Sequence, residues 1–146
     1  MSGLLIVAIL LISVTTVFAD DPERIAKART EGQVVFYSTM GIDTVRPVTL
    51  AFEKKFPFLK VEVLRLNSER VFNRVMIEHQ TGKIHADVVN LSVMPLLKGK
   101  RVLAQYRSPE MKAFPEKFRD TDDTWTGNFF SNASVTGRTV SIPIVL

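Results

Sequence analysis

The sequence predicts an α/β fold, with three layers and a mostly parallel sheet between helices. Helical and strand patterns alternate in the order helix, strand, helix, strand, helix, strand. The connections between them are short, and such alternation implies right-handed crossovers with helices on both faces of the sheet. The run Val34-Val35-Phe36-Tyr37 is continuously apolar and rich in β-branching, as a strand buried on both faces should be.

Each element has its own local signal. Asp21-Pro22-Glu23 opens a helix: Asp21 suits the cap, Pro22 the first helical position and Glu23 the helix dipole. It should end at Gly32. After the strand, Ser38 to Gly41 is a polar loop. A second helix begins at Asp43 or Thr44, with Val45, Val48, Phe52 and Phe56 as its apolar stripe, and Pro57 closes it. Lys60 to Leu66 alternates charged and apolar residues, which gives a strand with one face more exposed. Asn67-Ser68 caps a third helix with Val71, Val75 and Met76 inward, and Gly82 ends it. Ala86 to Leu91 is a third strand. Helical stretches follow near residues 93–98 and 109–117, and Thr139 to Leu146 reads as one more apolar strand.

Residues 1–19 contain no charged side chain, so all 19 basic and 15 acidic residues lie beyond them. An apolar core from Leu4 to Ile12 leads to Val17-Phe18-Ala19, with small residues placed for cleavage before Asp20. That is the form of an export signal, although no Lys or Arg precedes the core. The chain has no cysteine, which excludes disulfides, thiolate catalysis and cysteine metal ligands. The net charge of +4 is spread among interleaved acids, with Lys98-Gly99-Lys100-Arg101 the one dense spot. This reads as a solvated face, and no nucleic-acid partner is expected.

In open parallel sheets, ligands bind beyond the carboxyl ends of the strands. That rule selects three loops: Ser38 to Gly41, Asn67 to Glu69, and Asn90 to Val93. Catalysis finds little support. The two histidines, His79 and His85, fall on a helix and before a strand, and no G-x-S-x-G elbow, phosphate loop or H-E-x-x-H motif occurs. No catalytic residue, metal ligand or cofactor is assigned.

Several segments carry a family resemblance. Ala28 to Thr39, ARTEGQVVFYST, resembles the opening of family 1 extracellular solute-binding proteins, above all the group related to ferric-iron binders. Ala51-Phe52-Glu53-Lys54-Lys55-Phe56-Pro57 is similar to that group's A-F-E-K-K-Y/F-P. Arg65 with Ser68, Gly82 with Ala86-Asp87-Val88, and Tyr106 to Glu110 match further pieces in order, and Trp125 falls where a Trp commonly follows an acidic turn. The similarity covers about residues 22–127. It implies the first lobe of a type II periplasmic-binding-protein fold, and a chain divided into a signal peptide (1–19), an N-terminal lobe (20–127) and an atypical tail (128–146). The family's role would make the protein a periplasmic component of an ABC-type uptake system. It would hold a small, anionic or ferric solute and pass it to an ABC permease in the inner membrane.

Carried over by position, the ligand contacts are Ser38, Thr39, Ser68, Asn90 and Ser92. Arg65 or Arg74 could add a charge-assisted pair. Each serine also suits an ordinary helix cap. Tyr37 and Trp125 read as packing residues, and Asp87 as a strand-end fixture. The family's crossing strand is not visible after Asn128, so a truncated or frame-shifted fragment without function is the alternative expectation. A secreted α/β hydrolase-like enzyme is a more distant one.

Overall fold

The computed structural model describes residues 22–131 and 138–142. The expected export signal and the Asp21 cap lie outside the described residues, as does the tail strand beyond Ile142.

The apolar run becomes the central strand β1, Gln33–Ser38. It is flanked by β2, Lys60–Arg65, and β3, Val88–Asn90, all parallel in the order β2-β1-β3. Helix α1 spans Pro22–Glu31 and stops at Gly32, whose φ of 70° needs no Cβ to be accommodated. Helix α2, Ile42–Lys55, links β1 to β2; α3, Ser68–Thr81, links β2 to β3; α4, Met94–Gly99, follows. The alternation read from the sequence is the alternation found.

Strand periodicity sends neighbouring residues of β1 to opposite layers. Phe36 packs with Val61, Val63, Val88 and Val45 of α2. Tyr37 packs on the other face with Val71 and Val75 of α3 and with Met94 and Leu97 of α4. The helices therefore cover both faces, and the fold is doubly wound. Leu91, Met94 and Leu97 are fully enclosed, each worth roughly 1.5–3 kcal/mol of transfer free energy.

Several expectations are corrected. Val48 is exposed, and the intermediate position is taken by Thr49. A three-residue step from Val45 falls about 60° short of a full turn, so Val48 rotates off the stripe that Phe52 and Phe56 rejoin. The third strand is shorter than Ala86 to Leu91. Asp87 instead clasps β1 twice: its amide donates to the Val35 carbonyl at 3.0 Å, and its carboxylate accepts from the Val35 amide at 2.7 Å. The helical stretch over 109–117 is two 3-10 turns, Pro109–Ala113 and Glu116–Phe118. Pro115 separates them, since the residue before a proline is driven out of the helical region. Strand β4, Thr126–Ser131, was not expected. It pairs antiparallel with β5, Arg138–Ile142.

Beyond α4 the chain is fastened by charge. Lys98 reaches both Asp120 and Asp122, and Asp120 also accepts from the amide and hydroxyl of Thr124. Trp125 lies partly buried against the larger core cluster.

Candidate functional site

With β1 in the middle, the chain leaves it to one side through α2 and β2 and reaches its other side through α3 and β3. The strand order reverses between β1 and β3. Sheets of this type open a crevice at that point, beyond the carboxyl ends of the strands. The three loops selected from the sequence all lie at this edge.

The five sequence-selected residues fall into two linked groups. Ser38 accepts a hydrogen bond from the Met40 amide at 3.2 Å and approaches the side-chain oxygen of Asn90 at 3.5 Å. The Thr39 hydroxyl donates to the same oxygen at 3.3 Å, and the Thr39 amide donates to the Asn90 carbonyl at 3.1 Å. Ser68 and Ser92 meet hydroxyl to hydroxyl at 3.0 Å. The edge of β1 and the edge of β3 are thus joined by side chains as well as by the ladder.

Exposure separates the five by role. Ser38 and Asn90 are fully buried, so they brace the turn between β1 and α2 from within. Thr39, Ser68 and Ser92 keep part of their surface open. Two helices of 14 residues begin beside them. The cap of α3 is Asn67, whose side chain accepts from the Arg70 amide at 2.9 Å. The cap of α2 is Gly41, which has no side chain to offer. The first amides of a helix have no partner within it, and together with the helix dipole they favour anionic oxygen. The arrangement offers hydroxyls, an amide and helix-start N–H groups, a donor set suited to an oxygen-rich solute and lacking a nucleophile–base pair.

Other residues named from the sequence lie elsewhere. Tyr37 faces α3, where its hydroxyl donates to Glu78 at 2.6 Å. Arg74 donates to the same oxygen of Glu78 at 2.7 Å, so its charge is already matched. Burial alone would push the Glu78 carboxyl up, but these donors and the His85 amide hold it below its ordinary 4.5. Burial and the Glu78 carboxylate push Tyr37 up to about 12. His79 and His85 are exposed. Among the described residues no three His, Cys, Asp or Glu side chains converge as a metal-binding group.

An open groove of about 660 Å³ runs past Arg107, Lys112, Glu116 and Arg119, and none of its lining residues comes from the three loops.

No family model matches the chain, and no curated protein matches it. Solved structures do. The substrate-binding protein of an ABC transporter from Agrobacterium tumefaciens superposes with a TM-score of 0.62 at 21% identity, over 70% of this chain and 31% of that one. The periplasmic binding protein AfuA from Actinobacillus pleuropneumoniae, with fructose-6-phosphate bound, gives 0.58 at 20% identity over 68% and 33%. The FutA protein of Trichodesmium, in complex with iron and citrate, gives 0.55 at 23% identity over 66% and 31%. The chain thus has the fold of a lobe of the periplasmic binding proteins. It spans about a third of the length of the structures it matches.

Proposed function

We propose that this chain supplies one wall of the solute cleft of a periplasmic binding protein serving an ABC-type uptake system. On this reading residues 1–19 direct export and are removed, residues 20–127 form the lobe, and an inner-membrane permease receives the solute. The observation that carries the reading is the meeting of Ser38, Thr39, Ser68, Asn90 and Ser92 at the switch point of a doubly wound sheet. Thr39, Ser68 and Ser92 touch the solute, while Ser38 and Asn90 hold the loop that presents them. The solute is a small molecule rich in anionic oxygen, a carboxylate, a phosphate ester or a ferric chelate of one. The neighbours solved with citrate and with a sugar phosphate support that class.

One wall binds weakly, because affinity depends on enclosing the ligand and drying its polar partners. The test is a thermal melt of the full chain with citrate, ferric citrate, inorganic phosphate and hexose phosphates at millimolar concentration. A ligand at ten times its Kd stabilises the folded state by about 1.4 kcal/mol, so the midpoint should rise by roughly 5 °C for one class of solute. A midpoint unmoved by every member of the panel overturns the proposal.

A further inference from the structure

We infer that Arg65 is the cationic anchor of this edge, the side chain that pairs with the anionic group of the solute. The inference rests on the solute-binding reading and adds to it the residue that selects charge.

The parallel register supplies the first observation. Ser38 of β1 is opposite Arg65 of β2 on one side and Asn90 of β3 on the other. Arg65, Ser38 and Asn90 thus form a single rung across the sheet. One step down on the same face, the rung is Val63, Phe36 and Val88, all apolar and packed toward α2. Polarity on this face starts only at the last rung, where the strands stop and the crevice opens.

The fixing of Arg65 supplies the second. Its Nε donates to the Met40 carbonyl at 2.7 Å, in the turn that leads into α2. This bond holds the guanidinium at the start of the helix and leaves the two terminal nitrogens for another acceptor. A pair of parallel N–H groups fits a carboxylate or a phosphate in a bidentate manner. Among the described residues no carboxylate forms an ion pair with Arg65. It is exposed, whereas Ser38 and Asn90 beside it are enclosed, so a solute reaches the arginine first.

The two arginines of α3 are differently placed. Arg74 is matched by Glu78 and lies over the Tyr37 ring, with 5.8 Å to its centroid. Arg70 stands about 100° round α3 from the buried Val71, toward solvent. Asp43 and Glu69 sit in the first turns of α2 and α3, so an anion held at this edge needs a cation close by to offset them.

The experiment measures citrate and inorganic phosphate binding by calorimetry at low salt, on the full chain and three variants. R65Q should weaken the anion that the unaltered chain binds by about 10-fold to 100-fold, the loss expected for a charge-assisted bidentate pair. R65K should fall between, since it keeps the charge but loses the fork and the bond to Met40. R70Q removes the same charge from the solvent face and should change binding by less than about 2-fold. Equal binding by R65Q and the unaltered chain overturns the anchor and leaves the solute reading intact. Equal losses in R65Q and R70Q also overturn it, because the effect is then diffuse charge. An unaltered chain that binds neither anion overturns the anchor through the reading it rests on.

Discussion

Glu78 lies in line with Val71 and Val75 on the inner face of α3, and a carboxylate in that line has to be solvated by the protein itself. The Tyr37 hydroxyl, the Arg74 guanidinium and the His85 amide do so. Their combined effect outweighs burial and lowers the carboxyl below its ordinary 4.5. A group whose pKa is depressed on folding stabilises the native state above its unfolded pKa, and that contribution is lost as pH falls through the folded value. Asp120, lowered from 3.8 by Lys98 and Thr124 against its own burial, acts with the same sign. E78Q should lower stability by roughly 1–2 kcal/mol at neutral pH and flatten, without abolishing, the loss on acidification. Urea midpoints followed from about pH 7 to about pH 3 check this; a pH profile parallel to that of the unaltered chain would contradict it. The buried glutamate was within reach of the sequence, since it occupies the i+7 position of an apolar stripe and has Arg74 one turn before it. What the local pattern lacks is Tyr37, which is 41 residues away.

At the scale of elements, α2 carries a conflict between sequence and structure. Pro47 stands inside the helix, where it has no amide to bond the carbonyl four residues back. The ring is exposed, so the surrounding packing gives nothing in return. P47A should restore that bond and raise stability by about 1–2 kcal/mol, the helix-propensity gain of about 3 less the freedom that alanine returns to the unfolded chain. A higher midpoint in a thermal melt is the expected result, and a lower one would show that the proline bends α2 into a contact the helix needs. The elements from α1 to β3 were legible because their ends are punctuated by Pro22, Gly32, Pro57 and Gly82. Gly82 caps α3 at φ 67°, with Lys83 donating back to the Glu78 carbonyl at 3.1 Å. Strand β4 was not legible, since Gly127, Asn128 and Ser131 break its period of two. The division of residues 109–117, by contrast, was within reach of the sequence, since Pro115 is a break of the same kind as Pro57.

Across the whole molecule, the position of the candidate site followed from topology before any side chain was placed, because alternation fixes a parallel sheet and a parallel sheet collects its loops at one edge. The ordering within the site did not follow. That Ser38 and Asn90 are enclosed while Thr39, Ser68 and Ser92 stay partly open depends on strand register and on which helix covers which face, and no local pattern specifies either. Arg65 is the clearest instance, since only the register sets it on one rung with Ser38 and Asn90. On the proposed reading, an anionic solute binds at the carboxyl edge of β2-β1-β3. Amide chemical-shift mapping of the full chain during a citrate titration tests this most directly. The expected result is a saturable set of shifts confined to Thr39–Gly41, Arg65, Asn67–Glu69 and Asn90–Val93. Shifts gathered instead along the groove past Arg107, Lys112 and Arg119, with the three loops unmoved, would contradict it.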